Sequence, residues 1–179
     1  MKLLFLDALY DDCWDVRDVG VVIVDSADDF KVLGYMGQHI QHSPEYVEMV
    51  FEPKLKEIAN LIPGCSIQEV CDEVISFAKS FLEGYEEVTL VTRLPKQDLV
   101  FAGLDDIRLF CSGVYNPEYV QSCMNILHIP SEYQYEKDKY LGLERAVERA
   151  LFTHAEMIVY RNNIQGWGED LMRMHDGAT

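Results

Sequence analysis

The order of apolar segments predicts an α/β protein, with a mixed sheet of three leading antiparallel strands and flanking helices. Two observations carry that prediction. Three strand-like segments follow one another within the first 42 residues, and after them strand-like segments are separated by stretches of helical periodicity. At 179 residues the chain suits one domain with a substantial core and is short for two. Residues 1–161 read as that domain and residues 162–179 as a weakly ordered C-terminal tail.

Lys2 to Ala8 is an apolar strand containing Asp7 near its end. Val16 to Asp25 is the second strand, and its near-continuous run Gly20-Val21-Val22-Ile23-Val24 suits burial on both faces. Ser26-Ala27-Asp28-Asp29 reads as a hairpin loop into a third strand, Val32 to Gln41, whose alternation fits one solvated face. Ser43-Pro44-Glu45 then supplies a capping residue followed by proline at a first helical position, with helical spacing towards Leu61. Pro63-Gly64 breaks it, and Ser66-Ile67-Gln68-Glu69 is a capping box, in which serine and glutamate satisfy each other's free N–H groups. The helix it opens shows one apolar face, from Val70 to Leu82, and stops at Gly84. A strand from Val88 to Thr92 and a helix starting near Pro95 follow. Ile107 to Cys111 reads as a short strand, Asn116-Pro117-Glu118 as the start of a helix to about Leu127, and residues 138–161 as a long helix.

Composition narrows the function classes. Hydrophobic residues make up 49% of the chain, a globular composition, and no apolar run approaches the roughly 20 residues that span a bilayer. The apolar stretch Leu3 to Leu6 is interrupted by Asp7, too early for a signal-peptide core, so a cytoplasmic location is expected. Five cysteines (Cys13, Cys65, Cys71, Cys111, Cys123) without a C-x-x-C pair suggest buried free thiols rather than disulfides or zinc. Fifteen basic residues face 31 acidic ones, for a net charge of −16. Such a surface keeps the chain soluble, disfavours nucleic acid, whose binding relies on Lys and Arg at phosphates, and suits a basic protein partner.

The acids are the candidate chemistry. Asp7 stands at the end of the first strand, and Asp98 follows the mid-chain strand in Arg93-Leu94-Pro95-Lys96-Gln97-Asp98-Leu99-Val100-Phe101. The late helix carries Tyr140 and Gly142-Leu143-Glu144-Arg145-Ala146. This order and spacing, over roughly residues 2 to 160, resembles the DnaQ-like (DEDD) 3′–5′ exonucleases of the ribonuclease H-like fold. Members of that family hold two metal ions with four acids and use a histidine base. The resemblance implies that Asp7 and Asp98 are metal ligands set side by side at the carboxyl ends of adjacent strands. It also places Leu9, Tyr140 and Arg145 where the family has an acid, the general base and the last acid.

Ligand charge decides what those losses mean. Two divalent cations about 3.5–4 Å apart repel one another and need carboxylates to offset that repulsion. Asp7 and Asp98 supply two negative charges, and an inward Arg145, which cannot be deprotonated, returns a positive one. Arg145 is therefore expected to replace the metal and pair with Asp7, Asp98 or both. Two rescues would preserve metal binding. Glu144 lies one residue, about 100°, from the expected helix position, and Asp11 and Asp12 lie in the loop after the first strand.

Elsewhere, His39, His42, His128, His154 and His175 lack ligand spacing, and solvent exposure is expected for His39 and His42. Tyr133, Tyr135 and Tyr140 sit among acids and suit packing or an interface better than base stacking. The expectation is thus a catalytically degenerate exonuclease-fold protein that binds a protein partner or a second copy of itself, with no cofactor. The alternative is an active Mg- or Mn-dependent 3′–5′ exonuclease on DNA or RNA, using Asp7, Asp98 and Glu144. A small-molecule α/β protein is a third class, unsupported by any Gly-rich phosphate loop.

Overall fold

The structure is a computed structural model and describes residues 1–61, 64–117 and 145–163. Five strands form one mixed sheet in the order β3-β2-β1-β4-β5, where β1 is Lys2–Tyr10, β2 Val16–Asp25, β3 Lys31–His39, β4 Val88–Thr92 and β5 Gly113–Tyr115. β1 pairs antiparallel with β2, and β2 with β3, whereas β4 runs parallel to both β1 and β5. The described helices are α1 (Pro44–Val50), α2 (Pro53–Leu61), α3 (Ile67–Lys79), α4 (Lys96–Phe101), α5 (Asp105–Phe110) and α6 (Ala146–Asn163). This is the ribonuclease H-like architecture expected from the order of segments.

Strand alternation splits the core into two layers. Leu4, Leu6 and Ala8 of β1, with Val19, Val21 and Ile23 of β2, pack against α3 (Val70, Cys71, Val74, Ala78) and against Leu99, Leu104 and Ile107. Leu3 and Phe5, with Val22 and Val24, face the other way and meet Ala150 and Met157 of α6. Each fully buried aliphatic or Phe side chain contributes about 1.5–3 kcal/mol relative to exposure, so both helical layers are required to cover the sheet. α3 starts at the expected capping box, where Ser66 accepts from the Glu69 N–H and Glu69 accepts from the Ser66 N–H.

Four expectations change. The helix expected from Ser43 towards Leu61 is two helices, because Pro53 holds the preceding chain extended and Phe51 leaves α1 at ψ 139. The helix opened by Ser66 ends at Lys79, and turns lead from there to Gly84, which sits at φ +62. Ile107 to Cys111 is not a strand. Asp105 and Asp106 stand in the first turn of helix α5, where acids are favoured, and the fifth strand begins only at Gly113. β1 also runs two residues past Ala8, to Tyr10. The expected Asn116–Leu127 helix beyond Pro117, the long helix before residue 145 and the tail from residue 164 lie outside the described residues, while Asn162 and Asn163, expected in the tail, belong to α6.

α6 lies almost directly on the sheet at Gly20. A Cβ there would stand 1.9 Å from the backbone nitrogen of Val147 and 2.2 Å from its Cα. Gly37 sits opposite Gly20 on β3, and a Cβ there would meet the Val147 side chain at 3.2 Å. The two glycines clear a lane for the start of α6. Gly20→Ala is expected to cost about 3 kcal/mol, the upper end of overpacking penalties, because backbone rather than a flexible side chain must move. Urea denaturation of Gly20→Ala and of Gly37→Ala, which should lose less, measures it.

Candidate functional site

The parallel pairing of β1 with β4 ends at Leu6 and Thr92. Asp7 is therefore the first residue of β1 beyond its neighbour, at the crevice where such sheets place their sites. It shares its face of β1 with Leu3 and Phe5, the face covered by α6, and is 3% exposed. Its Oδ1 accepts from the Ala8 N–H at 2.9 Å, and its Oδ2 lies 3.4 Å from Nε of Arg149. Asp98, in the first turn of α4, is exposed. Tyr10, the last residue of β1, feels the charge of both acids. Burial pushes its phenol up, the charges of Asp98 and Asp7 push further, and Arg149 opposes them. The Tyr10 hydroxyl is itself buried without a hydrogen-bond partner.

Arg145 is not on Asp7 or Asp98. Its Nε and one terminal nitrogen donate to both oxygens of Asp18, at 2.9 and 3.0 Å, in the bidentate geometry suited to a planar guanidinium. Asp18 is fully buried on β2 and also accepts from the Ala146 N–H at 2.8 Å, which satisfies one free donor at the start of α6. Glu148 accepts from the Arg145 N–H at 3.1 Å. One turn further on, Arg149 takes the Asp7 position expected for Arg145. Glu156, two turns beyond Arg149, pairs with Arg93 immediately after β4. Residues 145, 149 and 156 fall within about 40° of one another around a helix of 3.6 residues per turn. α6 is thus fastened by ion pairs to β2, to β1 and to the end of β4. Burial raises the Glu156 carboxyl, and Arg93 works against that rise.

Asp11 is also engaged, within its own loop. Its Oδ1 accepts from the N–H groups of Cys13 and Asp15, and the Tyr46 hydroxyl lies 2.7 Å from both Asp11 and Asp15. One phenol proton serves two carboxylates, and burial together with those acids pushes the Tyr46 phenol far up. His39 and His42 are half-buried rather than solvent-exposed. His39 stands 3.5 Å from Asp18, and His42 lies 3.1 Å from the Val16 carbonyl and stacks on Tyr46. Cys13, Cys65, Cys71 and Cys111 are free, and burial raises the Cys71 thiol to about 11 and Cys111 to about 12. Cys13 is exposed, unlike the buried thiol expected. Glu144, the tyrosines at 133, 135 and 140, Cys123, His128 and His175 lie outside the described residues.

A two-metal set does not fit the described residues. Among them no group of three or more His, Cys, Asp or Glu could hold a metal ion, and the charge placed against Asp7 is a guanidinium. Sequence reasoning missed Asp18, Arg149 and Tyr10. The available signal for Asp18 was a lone acid two residues before Gly20 on an otherwise apolar strand face.

No family model matches the chain, and no curated protein matches it. Among solved structures it is similar to the crystal structure of a full-length 3′-exonuclease, with a TM-score of 0.52 and 10% identity over 99% of this chain and 83% of that one. At that identity the likeness establishes an exonuclease-like fold. Among the described residues no helix is long and apolar enough to cross a membrane.

Arg145→Ala is expected to cost about 3–5 kcal/mol, because it strands the charge of a fully buried aspartate. Arg149→Ala should cost less, about 1–2 kcal/mol, since it meets Asp7 through a single 3.4 Å contact rather than a bidentate pair, and its side chain is 38% exposed. Denaturant midpoints of the two variants test that order. A pH dependence follows from His39 and His154, both lowered chiefly by burial. Asp18 opposes that effect at His39, and the Phe30 carbonyl opposes it at His154. Below the ordinary histidine value of 6.5 the unfolded chain binds protons that the folded chain resists. Stability should therefore fall as pH drops from about 7 to 5, and a His39→Gln/His154→Gln variant should flatten that slope in thermal melts.

Proposed function

We propose that this chain is a catalytically degenerate exonuclease-fold protein that acts by binding a protein partner. The observation that carries the reading is the Arg149 guanidinium 3.4 Å from Asp7, the β1 carboxylate that the resemblance assigns to a metal. A fixed positive charge there offsets the carboxylate without any ion and raises the electrostatic cost of bringing a divalent cation beside it. The second such charge, Arg145, is consumed by Asp18 and anchors α6. Both arginines thus do structural work where the family does chemistry. The net charge of −16 supports the same reading, because it opposes a polyanionic substrate and favours a basic partner.

The alternative is an active metal-dependent 3′–5′ exonuclease on DNA or RNA, with Asp7, Asp98 and Glu144 binding Mg or Mn. The fold neighbour described as a 3′-exonuclease supports it. The favoured reading expects no digestion of single- or double-stranded DNA or RNA with millimolar Mg²⁺ or Mn²⁺, and no Mn²⁺-dependent rise in melting temperature, since a ligand bound only by the native state must stabilise it. Digestion that disappears in Asp7→Ala would install the alternative.

A further inference from the structure

The tip of the β1–β2 hairpin displays a tryptophan at a conformational cost. Trp14 is 82% exposed and has φ +67, the left-handed region where glycine is the unstrained choice. The turn that holds it is pinned from several sides. The Asp11 N–H donates to the Asp15 carbonyl, the Trp14 N–H donates to the Asp11 carbonyl, and the Asp11 carboxylate takes the Cys13 and Asp15 N–H groups. The Tyr46 hydroxyl ties Asp11 and Asp15 to α1. A large aromatic carried on a pinned turn has less backbone ordering entropy to lose on contact, which helps binding anchors gain affinity. Behind it the Tyr10 ring lies 6.3 Å away.

Charge selects the occupant. Asp11, Asp12 and Asp15 lie within three residues of Trp14 in the same loop, Asp11 and Asp15 each sharing the Tyr46 hydroxyl. Arg17, the nearest cation along the strand, turns back to the Tyr10 carbonyl at 3.4 Å. The face of a tryptophan attracts a cation within about 6 Å, and adjacent carboxylates add ion pairs to the same side chain. A nucleic-acid strand could stack on the indole but would bring phosphates to these acids.

We infer that Trp14 and its carboxylates form the docking point for an Arg- or Lys-bearing segment of a protein partner, which names the partner chemistry of the binding function proposed above. With Trp167→Phe as background, Trp14 is the sole tryptophan of the chain, and its emission reports the site. The probe is a blocked peptide of alternating Arg and Gly. It should change Trp14 emission saturably, whereas a Glu-Gly peptide should not. Measured by calorimetry, Trp14→Gly should weaken binding about tenfold while raising the melting temperature by a few degrees, because glycine relieves the left-handed strain.

Equal peptide affinity in Trp14→Gly would place binding elsewhere on the acidic surface, overturning this site while leaving a binding protein. Absence of any peptide binding would likewise overturn the site. Stronger quenching by an oligothymidylate than by the Arg-Gly peptide would overturn the occupant. Metal-dependent digestion of that oligonucleotide would overturn the binding function itself.

Discussion

The contact between Gly20 and the backbone of Val147 governs the rest of this molecule. A side chain at residue 20 would hold α6 away from the sheet, whereas its absence lets the first turn settle directly on β2. That closeness brings Asp18, one residue back on the same face, to the Ala146 N–H and the Arg145 guanidinium. Asp18 then does two tasks, capping a helix terminus and neutralising a guanidinium, and each compensates for burying its charge. With residues 145–147 set, the helix periodicity delivers Arg149 to Asp7 and Glu156 to Arg93.

The three ion pairs differ in what they contribute. Asp18 is sealed from water and held by a bidentate guanidinium and a backbone N–H, although the Arg145 side chain itself is 30% exposed. The Asp7–Arg149 pair is a single 3.4 Å contact with the arginine 38% exposed, and screening lowers its worth. Glu156 keeps a raised carboxyl despite its arginine, so burial outweighs pairing there. The charges of Asp98, Asp7 and Arg149 all act on the Tyr10 phenol, whose hydroxyl is buried.

Local signals were legible in the sequence wherever the physics is local. The Ser66–Glu69 capping box is a four-residue device, and it is present as read. The first three strands were legible because their apolar runs are long and bounded by turn residues. Ile107 to Cys111 failed for the opposite reason: so short a mostly apolar segment, interrupted only by Arg108, suits a strand and a short helix equally, and the acids before it decide the matter. The break at Pro53 was available in the sequence, since the residue before a proline resists helical geometry. The helical spacing on either side of it concealed the break.

The site divides in the same way. From the sequence alone came a strand-end aspartate, arginine in place of an expected acid on the late helix, and a charge of −16 that sets the chain against polyanions. Which arginine meets which aspartate was not contained there. Residues 145 and 149 stand one turn apart on the same helix face, so a periodic pattern cannot distinguish them. Only the position of α6 along its axis does, and that is set by a missing side chain on β2, through contacts 127 residues apart.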